Sequence, residues 1–290
     1  MNVLILGKGY IGTYLQKYLN NLKPSNYNIF FKSKKDLDYT DSEILYNFCL
    51  SEDIKTIVNA SGYTGSPNVD SCEDNKNDCF FYNVNIPIII ESVSKSLDIN
   101  FIHIGSGCIY DGYDKEYDED DTPNFGIFDK ESSFYSKTKH ISELMLDSNF
   151  TNIIRIRMPI ENKLSSKNLL TKLINYPNLI DFVNSKTDML VLCEFIQTVI
   201  ENFKAGIYNA VHSNPLGTEE VIDILREYNI KNKDWKFISY ENLQLKCNRS
   251  NCILKNDKIK NEFNFDFGNE EHYLRLNASL IGKELLWKKK

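Results

Sequence analysis

Several things are missing from this 290-residue chain, and each absence narrows what it can be. No apolar run approaches the ~18 residues that a membrane-spanning helix needs. The chain enters a short apolar stretch, Val3 to Leu6, without a charged leader, so no signal peptide is read there. Seven cysteines (Cys49, Cys72, Cys79, Cys108, Cys193, Cys247 and Cys252) make an odd set that cannot all pair. None forms a close pair at zinc-ligand spacing with histidines nearby, so no metal site is expected. They read as reduced thiols of a cytosolic-type, cytoplasmic compartment. An excess of basic charge is also lacking. A net charge of -6 and a pI of about 5.4 do not suit tracking a phosphate backbone, so no nucleic-acid partner is expected. The basic end, Lys288 to Lys290, reads as a solvated tail. No internal repeat and no low-complexity linker is found. What is present is 42% apolar residues, enough for a large core in one domain or two closely joined ones.

The first 160 residues alternate between apolar strand-length runs and amphipathic helical stretches. Val3 to Leu6 is all apolar, as suits a strand buried on both faces. Gly7-Lys8-Gly9-Tyr10-Ile11-Gly12 follows at once and opens a helix. A strand, then G-x-G-x-x-G, then a helix is the context in which this motif binds a dinucleotide. Gly7 permits the tight turn, Gly9 lets the backbone approach a pyrophosphate, and Gly12 lets helix and strand pack closely. Further strands are expected at Asn28 to Phe31, Thr56 to Ala60, Phe101 to Ile104 and Ile153 to Arg157. This predicts an α/β fold, a doubly wound parallel sheet over residues 1–160, which also receives a segment near 186–205. A smaller C-terminal α/β domain, 161–290, packs against it. Within it, Asp181 to Val183 reads as a strand.

After the second strand a cofactor with a free ribose 2′-hydroxyl usually meets an acid. Here Lys32, Ser33 and Lys34 stand there instead, which suits a 2′-phosphate and predicts NADP(H). Asn59, Ala60 and Ser61 close the third strand with small and polar groups that let a cofactor lie across it. Ser106 and Cys108 follow the fourth strand, so they belong to the crevice beyond the strand ends. Tyr135 and Lys139 are four residues apart and share one helix face. An ammonium beside a phenol, whose ordinary pKa is ~10, lowers that value and suits proton transfer near neutrality. Asp111 to Asp129 is a long acidic segment that reads as a loop over the crevice mouth.

With these elements in order, the chain resembles the extended short-chain dehydrogenase/reductases. Gly65-Ser-Pro-Asn68-Val69-Asp-Ser-Cys-Glu73, Gly107-Cys-Ile-Tyr110, Ser133 to Lys139, Arg155 to Ile160, Asn168 to Lys172, Gly206 to Asn209 and Arg249 to Asn251 resemble the plant bifunctional UDP-4-keto-6-deoxyglucose 3,5-epimerase/4-reductases. The dTDP-4-dehydrorhamnose reductases are a more distant likeness. The resemblance implies NADPH, a UDP-linked 4-keto-6-deoxy sugar and a homodimer. It implies Ser106, Tyr135 and Lys139 for reduction, with Cys108 and Lys172 as the epimerisation pair. A thiol and a desolvated lysine can both be tuned toward neutrality. It also places Pro159 near the cofactor. Asn68, Val69, Asn168, Asn209, Arg249 and Asn251 become substrate contacts, with Arg249 on the diphosphate. Two rivals remain: a plain 4-reductase, in which a tyrosine replaces Cys108, and a non-catalytic NADP-binding subunit, which has no need of the full Ser-Tyr-Lys set.

Overall fold

Side chains along β1 (Asn2–Leu6) alternate between two cores, as the two-residue period of a strand dictates. Val3 and Ile5 join one cluster with Leu15, Leu19, Val191 and Phe195. Leu4 and Leu6 join another with Leu45, Ile86, Ile90 and Phe101. A strand buried this way needs helices on both faces. Helices α1 (Tyr10–Asn21) and α6 (Met189–Glu201) cover the first face, and α2 (Ser42–Ser51) and α3 (Ile86–Leu97) the second. The computed structural model describes all residues except Ser25, Pro67, residues 231–234, Gln244 and residues 288–290. The basic end, residues 288–290, therefore lies outside the described residues.

β1 pairs in parallel with β2 (Asn28–Lys32) on one side and β3 (Thr56–Asn59) on the other. The sheet continues through β4 (Asn100–Ser106) and β5 (Thr151–Ile156), also parallel. The direction in which successive strands are added thus reverses between β1 and β3, which opens a crevice at their carboxyl ends. A sixth strand, β6 (Gly206–Asn209), completes the sheet beside β5. The sequence pattern places this stretch in the C-terminal domain, 161–290. It joins the sheet because its register with Asn152–Arg155 buries Tyr208 in the first core.

The C-terminal lobe has its own core. Leu170 and Leu173 of α5 (Leu169–Asn175), Val221, Ile222 and Leu225 of α7 (Thr218–Glu227), and Leu274, Ala278 and Ile281 of α8 (Glu270–Trp287) meet there. The short strand expected at Asp181 to Val183 forms three residues earlier, at Asn178–Leu179, where it pairs with Lys236–Phe237. The acidic segment after β4 is stapled down rather than hanging free. Tyr117 N–H donates to Ile253 O at 2.8 Å, and Gly112 N–H to Asn251 O at 2.8 Å. Among the described residues no helix is long and apolar enough to cross a membrane.

Candidate active site

Helix α4 (Phe134–Met145) opens at Ser133, whose hydroxyl accepts the Ser136 N–H at 3.0 Å. This capping interaction sets Tyr135 in the first turn and Lys139 one turn on. β4 delivers Ser106 to the same place. The Ser106 hydroxyl bonds the Tyr135 phenol and also accepts the Cys108 N–H at 3.2 Å. So Ser106, Cys108, Tyr135 and Lys139 meet at the carboxyl end of the sheet.

The electrostatics differ from the expectation. Burial pushes the Tyr135 phenol well above its ordinary value, the Cys108 sulfur beside it adds to this, and the Ser106 bond opposes it. Lys139 is not among the groups that act most strongly on the phenol. Its ammonium is turned to the Ile104 carbonyl at 3.1 Å, and burial pushes it down to about 8. A phenol that holds its proton at neutral pH is a donor, which is what reduction of a ketone requires.

Cys108 is half-buried. Its sulfur receives a hydrogen bond from Arg157 Nη1 at 3.6 Å. Arg157, which sequence reasoning missed, is almost wholly buried just past β5. It donates also to Gly107 O at 3.4 Å, Ser250 Oγ at 2.6 Å, Ser250 O at 3.1 Å and Asn184 Oδ1. The ammonium of Lys172, half-buried on α5, makes no hydrogen bond or ion pair among the described residues. Burial, helped by Lys167, lowers its pKa. Lys167 itself reaches Thr64 Oγ1 at 3.1 Å and Gly65 O at 3.2 Å, so this face of the C-terminal lobe meets the loop after β3.

The turn between β1 and α1 fits a dinucleotide. Gly7 has φ +101°, and a Cβ there would meet Ser61 at 2.7 Å. A Cβ on Gly12 would strike the Gly7 carbonyl, whereas one on Gly9 would point into open space. That open side is where a pyrophosphate would approach, beside the half-buried Tyr10 and Ile11 at the helix start. Asn59 is held by its neighbours: its Oδ1 accepts the Ser61 N–H at 3.0 Å and its Nδ2 contacts His103 at 3.2 Å. His103 is a packed strand residue, as its burial indicates. Ala60 lines the first core and Pro159 pairs with Thr187 past β5. After β2 the turn is built around Asp36, which accepts from the Ser33 N–H at 2.8 Å and the Ser33 hydroxyl at 2.6 Å. Lys8 of the glycine turn pairs with the same carboxylate at 2.8 Å. Lys32 lies over the Phe48 ring and Lys34 over Phe81 and Tyr82.

The expected substrate contacts divide. Asn168 is fully buried and spent on the fold: it caps α5 by accepting the Leu170 N–H at 3.0 Å and donates to Glu161 O and Lys163 O. Asn209 is likewise committed, accepting from Arg155 and donating toward Tyr117 O. Neither is free to meet a ligand. Asn68 and Val69 lie in the loop that leads to Asp70, where Asn68 Oδ1 accepts the Asp70 N–H at 2.8 Å. Arg249 and Asn251 line a cavity of about 220 Å³ together with Asp111, Tyr113, Phe182 and Tyr240. The Arg249 guanidinium is held by Asp70 across the lobes at 2.8 Å.

Asn83 was passed over in the sequence. It lies in a π-helical turn, Phe81–Asn85, a departure from α-helix often found at functional sites. Its amide donates to Tyr63 O at 2.9 Å and to Thr138 Oγ1 at 3.0 Å, which ties the loop after β3 to α4.

Residues 1–271 match the family model described as RmlD substrate binding domain. The chain is 33% identical over 223 residues to the bifunctional dTDP-4-dehydrorhamnose 3,5-epimerase/dTDP-4-dehydrorhamnose reductase of Arabidopsis thaliana, covering 71% of each. It is 31% identical over 221 residues to a trifunctional UDP-glucose 4,6-dehydratase/3,5-epimerase/reductase of the same plant, but spans only 32% of that protein. Among solved structures, a UDP-rhamnose synthase from Acanthamoeba polyphaga mimivirus superposes with a TM-score of 0.87 at 23% identity, covering 97% of this chain and 99% of that one. A dTDP-4-dehydrorhamnose reductase from Bacillus anthracis in complex with NADP gives 0.80 at 18%, covering 98% and 99%. These structural likenesses establish the fold. The family match and the 33%-identical plant relative show that the chain belongs to the dTDP-4-dehydrorhamnose reductase family.

Proposed function

We propose that this chain is a bifunctional 3,5-epimerase/4-reductase that converts UDP-4-keto-6-deoxy-D-glucose to UDP-L-rhamnose with NADPH. The observation that carries the two-activity reading is Cys108: half-buried, it adjoins the phenol that would face the ketone. A C4 carbonyl makes the C3 and C5 protons acidic, and inverting those centres needs an acid and a base on opposite faces. Cys108 and Lys172 are assigned to these roles. The lowered pKa of the unpaired Lys172 supports its part in proton transfer. Ser106 and Tyr135 hydrogen-bond the C4 oxygen and stabilise the enolate. NADPH, when bound, supplies the hydride that reduces C4. Tyr135 gives its proton to the C4 oxygen, and Lys139 holds the nicotinamide ribose.

Gly7, Gly9 and Gly12 would hold the pyrophosphate, and Lys32, Lys34, Ser33 and Lys8 the 2′-phosphate. Equal dissociation constants for NADPH and NADH would count against that last assignment. Arg249 takes the diphosphate, with Asn251 beside it. The aromatic rings of Tyr113, Phe182 and Tyr240 offer faces for the base. The protein is further proposed to work as a homodimer. A cavity of about 430 Å³ lined by Lys76, Phe80, Phe81 and Phe134, and the exposed Leu144 and Met145 on α4, support pairing through these helices.

The test is incubation with UDP-4-keto-6-deoxyglucose and NADPH, with the sugar product identified by NMR. UDP-L-rhamnose formed without any added epimerase is the expected result. Turnover only when a separate epimerase is supplied would leave a plain reductase. Preference for the dTDP-linked sugar would replace UDP in the assignment.

A further inference from the structure

Helix α4 is capped from two places. Ser133 supplies the local cap, but the helix has no acid in its own first turn. The N–H of Phe134, the residue before Tyr135, is taken instead by Glu73 Oε1 at 2.6 Å, from a segment 61 residues earlier. A twelve-residue helix with a serine cap does not need a distant carboxylate in order to form. What Glu73 adds is location, since a charged acceptor fixes the helix start more firmly than a neutral one.

The segment that carries Glu73 is itself anchored. It is one helical turn, Ser71–Asp74. Asp70 pairs with Arg249 at 2.8 Å and Asp74 with Lys246 at 2.5 Å, both from the C-terminal lobe. Cys72, at its centre, is fully buried, and its sulfur is among the groups that raise the Tyr135 phenol. One short turn therefore touches the substrate lobe, the catalytic helix and the surroundings of the phenol.

We propose that Glu73 is a positioning residue for Tyr135: it sets where the first turn of α4 lies and so where the phenol is aimed. This rests on Tyr135 being the proton donor. Displacing a catalytic group by about 1 Å can cost ~100-fold in rate, so Glu73→Ala should lower kcat for ketone reduction by roughly 10- to 100-fold. The KM for the sugar and the Kd for NADPH should stay within about threefold, because the loss is one of aim rather than binding. Glu73→Gln retains an acceptor oxygen and should recover most of the lost kcat. Thermal unfolding of both variants reports whether the fold is intact.

An unchanged kcat in Glu73→Ala, a loss that falls wholly in KM, or a Glu73→Gln variant no better than Glu73→Ala would each overturn the proposal. Tyr135→Phe separates the two layers. If that variant still reduces the ketone, the proton-donor reading itself fails. If it is inactive while Glu73→Ala behaves as wild type, only the role of Glu73 fails.

Discussion

Arg155 and Arg157 stand two residues apart, both almost wholly buried, yet they are kept in opposite ways. Arg155 binds both carboxylate oxygens of Glu143, at 2.8 and 2.5 Å, and lies over the Tyr110 ring. Arg157 meets only neutral acceptors and the Cys108 sulfur; no described carboxylate is within ion-pair distance of it. The contrast extends to the lysines. Lys186 is paired with Glu270 at 2.7 Å, whereas Lys139 has a backbone carbonyl and Lys172 has no such partner. The paired cations hold elements together: β5 to α4, and the approach to α6 to α8. Of the cations without a counter-charge, Arg157 and Lys139 surround the Ser106–Cys108–Tyr135 cluster, and Lys172 faces it from the other lobe by assignment. Leaving a cation desolvated and unpaired is costly, and it is at functional sites that such a cost is tolerated.

The sharpest way to probe the unpaired side is Cys108→Ala. Exchange of the substrate C3 and C5 protons with solvent deuterium should fall by ~10²- to 10⁴-fold, the usual worth of a positioned acid or base. Reduction of a ketone already epimerised should survive. Unchanged exchange would remove Cys108 from the mechanism. On the paired side, Arg155→Met strands the Glu143 carboxylate, and breaking a buried pair costs ~3–5 kcal/mol. Urea unfolding followed by circular dichroism measures it. A loss below ~1 kcal/mol would mean the pair does not hold β5 to α4.

Lys139 gives the next effect in size, and its sign follows from linkage. Its pKa in the fold is about 8, below that of the unfolded chain. Below pH ~8 both states carry the proton and the fold bears the full desolvation penalty. Between pH ~8 and ~10 the unfolded state binds more protons, so stability rises with pH. Compared with Lys139→Met, which lacks this titration, the wild type should therefore gain on alkalinisation, by at most ~3 kcal/mol. A stability difference that stays flat across this window would show that the ammonium is not desolvated as described.

Much of the sheet lobe was legible because its chemistry is local. A glycine turn needs particular backbone angles, and a Tyr–Lys pair needs one helical turn; both are written in consecutive residues. The C-terminal lobe is different. Its strand at Asn178–Leu179 is two residues long, too short to show a period. Helix α8 went unread, since exposed Leu276 and Leu280 on its outer face blur the helical spacing of Leu274, Ala278 and Ile281. Asn168 and Asn209 came as substrate contacts from the resemblance, and an amide spent on the fold and one that binds a sugar are the same residue in sequence. Arg157 and Glu73 escaped attention for the opposite reason. Their meaning comes from Asn184, Ser250 and Phe134, which only folding brings near.

The smallest expected change is the most discriminating one. Arg157→Met removes a charge without stranding an opposite one. Of the five acceptors that it abandons, Ser250 Oγ, Asn184 Oδ1 and Gly107 O keep another partner, while Ser250 O and the Cys108 sulfur lose theirs. Ser250 Oγ still donates to Tyr110 O at 2.5 Å, Asn184 Oδ1 still accepts the Cys252 N–H at 3.0 Å, and Gly107 O still faces Cys252 Sγ at 3.8 Å. Methionine fills similar volume with a flexible apolar chain. No carboxylate is stranded, but the Ser250 carbonyl loses its donor, so stability should fall by ~2 kcal/mol or less, below the cost of Arg155→Met. Deuterium exchange at C3 and C5 should nevertheless slow, because the sulfur of Cys108 loses the donor that holds it. If Arg157→Met instead unfolds the protein as readily as Arg155→Met does, the two arginines do the same work. The division between charges that hold the fold and charges kept for chemistry would then have no basis.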